Sequence, residues 1–91
     1  AINLQKTGID NSYQTRYLNL IGKDYLRAGE TQKALNIYQE SLKISREREE
    51  KVFEAAALFE IARVERELGN FNNARTKIEE AIQTVESLRN R

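Results

Sequence analysis

The chain has 91 residues, the size of one small domain. It contains neither cysteine nor histidine, which excludes disulfides, thiolate zinc sites and cysteine nucleophiles. The same composition removes the side chain best suited to proton transfer near neutral pH. Its 15 basic and 14 acidic side chains give a net charge of +1, so no long-range attraction draws it to nucleic acid or to an acidic membrane.

The composition favours helices. Proline is absent, only 4 residues are glycine, and 32% of the residues are charged, a balance typical of amphipathic helices rather than of sheet or disorder. No run approaches the ~18 consecutive apolar residues of a membrane span, and no signal-peptide pattern is present. We therefore expect an all-α protein in the cytoplasm, without membrane contact.

The first half of the chain predicts two helices joined by a tight turn. The first helix spans about residues 11–28, with Asp10 or Asn11 capping its free backbone amides. Gly29 ends this helix, because glycine adopts the left-handed conformation most readily. The second helix spans about residues 31–48. Its apolar positions recur with helical spacing at Ala34, Ile37, Tyr38, Leu42 and Ile44.

A charged run, Arg46-Glu47-Arg48-Glu49-Glu50-Lys51, separates the two halves. It has two interpretations, a solvated connection between helices or a contact site for a charged partner. A third helix follows over about residues 52–68 and ends at Gly69.

Asn70 is suited to cap a fourth helix over about residues 71–89. The apolar stripe of this helix, predicted to be its buried face, comprises Phe71, Ala74, Ile78, Ala81, Ile82, Val85 and Leu88. The opposite face, predicted to lie in water, carries Arg75, Glu79, Glu80, Gln83 and Glu86.

The two halves are an internal repeat. Ala28–Ala34 recurs forty positions later as Leu68–Ala74, with Gly29 matched to Gly69. We assign one repeat to residues 11–50 and a second to residues 51–91, and expect residues 1–10 to be the end of a preceding repeat and its turn. Because about three such repeats are needed for independent stability, we expect the chain to be a segment of a longer repeat protein.

The repeats resemble the tetratricopeptide repeat (TPR). In the first repeat the family's large, small and aromatic positions are filled by Leu18, Ile21, Gly22, Tyr25, Ala34, Tyr38 and Ser41. In the second they are filled by Leu58, Ile61, Ala62, Ala74, Ile78 and Ala81, with Glu65 at the position of the first aromatic. The resemblance implies antiparallel helical hairpins stacked as a TPR-like right-handed α-solenoid.

Two features depart from that family. Its usual period is about 34 residues, whereas Gly29 and Gly69 lie forty apart, and Arg46 and Glu86 replace the proline that often closes the second helix. We expect the extra residues to lie in longer helices and in a longer connection between the repeats.

A narrower resemblance concerns three segments. Residues 29–42 and 61–70 look like the long-period repeats that precede the caspase-like CHAT domain of large, chiefly cyanobacterial proteins, and residues 74–89 resemble the last such repeat. The resemblance implies that protease chemistry would lie beyond Arg91. This segment would then present or position a partner.

The TPR resemblance implies a concave groove lined by the first helix of each repeat. The groove positions are Arg16, Asn19, Lys23, Leu26 and Arg27 in the first repeat and Ala56, Phe59, Arg63, Arg66 and Glu67 in the second. This face would be basic, and we expect it to accept an acidic peptide or a C-terminal carboxylate through paired arginine contacts. The alternative is an ordinary solvated surface whose cations pair with nearby glutamates.

The tyrosines Tyr13, Tyr17, Tyr25 and Tyr38 are expected to be core or helix-contact residues, Tyr17 lying nearest the groove rim. No phosphate-binding glycine pattern occurs, and the acidic residues of the charged run alternate with basic ones, so we expect no cofactor, no metal site and no catalytic residues. The alternative to peptide binding is an assembly module whose exposed end faces stack chain on chain.

Overall fold

The computed structural model describes the backbone of residues 11–89 and the side chains of residues 13–89. This part of the chain forms four helices, α1 (Asn11–Arg27), α2 (Thr31–Glu47), α3 (Lys51–Glu67) and α4 (Phe71–Arg89), and contains no strand. The all-α prediction is confirmed. The predicted stub at residues 1–10, with its capping Asp10, lies outside the described residues.

The helices begin twenty residues apart and are separated by turns of equal length. In each turn the middle residue has a positive φ, of 81° at Gly29, 57° at Glu49 and 87° at Gly69. The next backbone amide then donates to a carbonyl in the last turn of the preceding helix, as Glu50 N does to Ser45 O at 2.9 Å. This left-handed C-cap ends each of the first three helices. Glycine at 29 and 69 was predicted to do so, whereas the same role of Glu49 was not.

The connection between the two repeats is as short as the turns within them. It comprises residues 48–50, because α2 continues to Glu47 and α3 begins at Lys51. The predicted longer connection is therefore wrong, whereas Arg46 lies in α2, within the predicted bounds of the second helix. The extra length of the repeat lies in the helices, which have 17 to 19 residues.

The helices pack in chain order, α1 on α2, α2 on α3 and α3 on α4, with a lighter contact between α1 and α3. The described layer measures 44 × 37 × 15 Å. The buried cluster at its centre comprises Ala34, Leu35, Tyr38, Leu42, Ala57, Leu58, Ile61, Val64 and Ala81. None of the helices among residues 11–89 is long and apolar enough to cross a lipid bilayer.

The predicted buried stripe of α4 is only partly buried. Ala74 and Ala81 are buried, whereas Phe71, Ile78, Ile82 and Val85 are exposed, Phe71 by 67%. Among the described helices α4 packs mainly on α3, so one flank of its wide stripe meets α3 and the other meets solvent. Glu80, predicted to lie in water, is half-buried and accepts a hydrogen bond from Arg46 Nη2 at 3.1 Å.

The tyrosines divide into two pairs. Tyr38 is fully buried, and Tyr25 packs against the core cluster. Tyr13 and Tyr17 are exposed, which contradicts their assignment as core or helix-contact residues. Their side chains lie on a face of α1 that no described helix covers.

Candidate functional site

Three of the predicted groove residues meet in a cleft between α3 and α4, here called the α3/α4 cleft. Its volume is about 120 Å³, and its lining comprises Phe59, Ala62, Arg63, Arg66, Ala74 and Ile78. The helices hold these side chains on one side because Phe59, Arg63 and Arg66 follow each other at helical spacings. The small side chains of Ala62 and Ala74 leave the floor of the cleft open.

The α3/α4 cleft is apolar inside and basic at its rim. Arg63 Nη1 donates to Glu60 Oε1 at 3.1 Å, but the Arg63 side chain remains 61% exposed. An exposed pair of this kind contributes about 0–1 kcal/mol, so Arg63 can exchange Glu60 for a better acceptor. Arg66 is exposed and has no acidic partner among the described residues. The rim therefore offers two guanidinium groups to an anionic ligand.

A second depression, of about 530 Å³, continues the cleft along the outer side of α4. Its lining comprises Arg66, Phe71, Ala74, Arg75, Ile78 and Glu79, three of which also line the cleft. Sequence reasoning missed Phe71 and Arg75 as lining residues. The signal that could have identified them is the width of the α4 apolar stripe, which is too broad for a single neighbouring helix to cover.

The four predicted groove residues of α1 lie outside the α3/α4 cleft. Arg16, Lys23 and Arg27 are exposed, and Arg27 Nη1 lies 4.0 Å from Asp24 Oδ1. Asn19 is half-buried, and its Oδ1 atom is buried without a hydrogen-bond partner in the described part of the chain. These residues share one face of α1, and none of them lines the α3/α4 cleft.

A polar depression at the opposite end of the hairpins is a weaker candidate. It is lined by Arg46, Lys51, Glu54, Lys77, Glu80, Gln83, Thr84 and Ser87. Each of its cations already has an acidic neighbour, because Arg46 Nε donates to Glu54 Oε2 at 3.2 Å and Lys51 and Lys77 lie 3.9 Å from Glu54 and Glu80. Within residues 13–89 no group of three or more acidic side chains could hold a metal ion.

No protein-family description, no curated protein and no solved structure matches this chain. The resemblance to the tetratricopeptide repeat therefore stays a prediction from the residues quoted for it.

Proposed function

We propose that the chain is a non-catalytic protein-interaction module, a TPR-like α-solenoid segment that binds an acidic peptide along its basic face. The observation that carries this proposal is the α3/α4 cleft, in which an apolar floor lies directly beside Arg63 and Arg66. The lack of histidine and cysteine supports a binding role rather than a catalytic one.

The volume of the α3/α4 cleft limits the size of the group that can enter it. Pockets for drug-sized ligands have volumes of about 300–1,000 Å³, whereas this cleft has about 120 Å³. It therefore suits a single apolar side chain, such as leucine, that rests on Phe59 and Ile78. A peptide anchored in this way presents its neighbouring carboxylates to the rim.

The rim arginines supply the specificity for acidic residues. Arg63 and Arg66 are three residues apart, so both reach the same side of α3. Each guanidinium can donate two parallel hydrogen bonds to a carboxylate, a geometry that lysine does not reproduce. On α1, the exposed Arg16, Lys23 and Arg27 extend the positive charge along the peptide, and Asn19 offers an amide to its backbone.

The experiment measures fluorescence anisotropy of labelled short peptides with a central leucine. One peptide flanks the leucine with glutamates, a second flanks it with lysines, and a third replaces the leucine by serine beside the glutamates. We expect the first to bind the wild-type chain most tightly and to lose at least about tenfold in affinity with the double variant Arg63→Ala/Arg66→Ala. Lys43→Ala, at an exposed site on α2, is the matched control.

Two outcomes would overturn the proposal. One is equal affinity for all three peptides, and the other is equal affinity of the wild-type chain and the double arginine variant for the acidic peptide.

A further inference from the structure

Two rows of side chains at opposite ends of the helix layer are exposed. The α1 outer row comprises Tyr13, Tyr17, Leu20 and Asp24, and the α4 outer row comprises Arg75, Ile78, Ile82 and Val85. Tyr17 and Leu20 are 64% and 60% exposed, and Ile82 is 46% exposed. Exposed apolar residues gathered in such rows mark contact surfaces.

The internal repeat shows how equivalent rows are covered. Forty residues after the α1 outer row stand Phe53, Ala57, Glu60 and Val64, and forty residues before the α4 outer row stand Leu35, Tyr38, Leu42 and Ser45. These inner rows of α3 and α2 face each other, because most of their apolar members belong to one buried cluster. The contact between Arg46 and Glu54 at 3.2 Å fixes the antiparallel register of the two helices. The inner rows are thus a template for contact between the outer rows.

The outer rows differ from the inner rows in a coordinated way. Leu35 lies about three helical turns before Arg46, and Val64 lies about three turns after Glu54. In antiparallel helices these two residues are opposite each other, and both are buried. In the outer rows the same positions hold Arg75 and Asp24, which are opposite charges. One apolar pair is therefore replaced by a complementary ionic pair.

The reverse change occurs one turn away. One turn from Leu35 and Val64 the inner rows hold Tyr38, which is fully buried, and Glu60, which is half-buried and accepts a hydrogen bond from Arg63 Nη1 at 3.1 Å. The equivalent outer positions hold Ile78 and Leu20, both apolar and both exposed. Two residues with polar groups are therefore replaced by two apolar residues, so the outer rows match each other at this level as well.

The ends of the rows also remain compatible. The positions of Arg46 and Glu54 correspond to Glu86 and Gln14 in the outer helices. Gln14 Oε1 accepts a hydrogen bond from Arg48 Nη2 at 2.9 Å, and the amide nitrogen of Gln14 can donate to a carboxylate. A glutamate at position 86 is a suitable acceptor.

We propose that the chain associates head to tail with a second copy of itself, α4 of one copy packing antiparallel on α1 of the next. Arg75 then pairs with Asp24 of the next copy, and Ile78 and Ile82 cover Leu20 and Tyr17. Tyr17 is larger than Ala57, so the two helices lie further apart than α2 and α3 do. The two surfaces differ, so the association extends into open chains rather than closing as a symmetric dimer.

Association between copies and peptide binding in the α3/α4 cleft both involve one residue. Ile78 lines the cleft and also belongs to the α4 outer row. Its counterpart Tyr38 is fully buried inside the helix layer. A stacked copy therefore covers part of the cleft, and an anchored peptide prevents stacking at that end.

The test is analytical ultracentrifugation over a range of concentrations. We expect the mean mass of the wild-type chain to rise with concentration beyond that of a dimer. Ile82→Glu blocks the α4 end and Tyr17→Glu blocks the α1 end, so each variant alone should remain monomeric. An equimolar mixture should form a one-to-one dimer and stop there, because only one complementary pair of ends remains. Val52→Glu, at another exposed apolar site, should leave the assembly unchanged.

The mixture keeps the test informative if a variant folds poorly, because only folded chains with one intact end can form the dimer. Charge exchange gives a second arm: Arg75→Asp and Asp24→Arg should each lower the association constant by about tenfold, and the double variant should restore it. A monomeric wild-type chain at all concentrations would overturn the proposal. So would single variants that assemble normally, or a mixture that fails to dimerise although circular dichroism shows both variants to have the helix content of the wild type.

Discussion

The ring of Tyr38 occupies the space into which a Cβ atom on Gly22 would project, because that atom would lie 2.6 Å from Cε1 and 2.7 Å from Cζ. Glycine at 22 thus allows a fully buried aromatic ring between α1 and α2. In the second hairpin the equivalent residues are Ala62 and Ile78, and both line the open α3/α4 cleft. One pair of positions therefore fills the core of the first hairpin and leaves an open cleft in the second.

Gly22→Ala should destabilise the fold. The new methyl group forces the buried Tyr38 ring to move, and overpacking of this kind costs about 1–3 kcal/mol of unfolding free energy. Urea denaturation followed by circular dichroism measures the loss. Adding Tyr38→Ile, which reproduces the pair of the second hairpin, should recover part of it, so the two changes should be non-additive. A stability of Gly22→Ala within about 0.5 kcal/mol of wild type would show that the ring is not constrained.

Glu49→Gly should stabilise the chain. Glu49 has a φ of 57°, a left-handed conformation that costs a side-chain-bearing residue about 1 kcal/mol relative to glycine. The same denaturation experiment should show a gain of about 0.5–1 kcal/mol. Glu49→Ala should be close to neutral, and Gly69→Ala should cost about 1 kcal/mol. Loss of stability in Glu49→Gly would argue that its carboxylate, not its backbone, holds the turn.

The pH dependence of stability should report Tyr38. Burial, aided by the charge of Glu60, raises the pKa of Tyr38 from 10 to about 12. Below pH 10 Tyr38 is protonated in both the folded and the unfolded state, so the pKa difference does not change the free energy of unfolding. Between pH 10 and 12 the unfolded state loses the proton first, so the free energy of unfolding falls by about 1.4 kcal/mol per pH unit.

Tyr38→Phe provides the control for that titration. The Tyr38 hydroxyl is buried without a hydrogen-bond partner in the described part of the chain, so its removal should be neutral or stabilising at pH 7. The free energy of unfolding of this variant should fall less between pH 10 and 12, because the contribution of Tyr38 is absent. An identical alkaline profile in both proteins would assign the transition to other groups.

The double variant Ala62→Gly/Ile78→Tyr should abolish peptide binding without changing any charge. It copies the Gly22 and Tyr38 pair into the second hairpin and should fill the α3/α4 cleft with the new ring. Circular dichroism should show an unchanged helix content, although glycine within a helix costs about 1 kcal/mol. Unchanged anisotropy with the acidic leucine peptide would mean that the anchor side chain does not enter the cleft.

Much of the fold could be predicted from the sequence. The bounds of α4 agree with the prediction at both ends, and Gly29 and Gly69 end their helices as expected, because local spacing and turn chemistry determine these features. The left-handed conformation of Glu49 was not predicted, because a glutamate in the sequence does not indicate that conformation. The wrong prediction of a longer connection has the same cause. Because Glu49 was not recognised as a turn residue, the charged run resembled a linker.

Burial at the ends of the layer could not be predicted from periodicity. The spacing of Tyr13 and Tyr17, or of Phe71 and Ile82, indicates which face of a helix is apolar, but not whether another helix covers it. The site was predictable to a similar degree. Phe59, Arg63 and Arg66 share a helix and meet in one cleft, whereas the α1 residues depend on the distance between two helices, which helical spacing does not give.

The most direct measurement of peptide binding is a titration of the isotope-labelled chain with the acidic leucine peptide, followed by nitrogen–proton correlation spectra. We expect the largest shift changes at the amides of Phe59, Ala62, Arg63, Arg66 and Ile78, with smaller changes along the basic face of α1. Arg63→Ala/Arg66→Ala should remove these changes. Shift changes confined to the polar depression around Arg46 and Glu80, or no changes at all, would contradict a peptide site in the α3/α4 cleft.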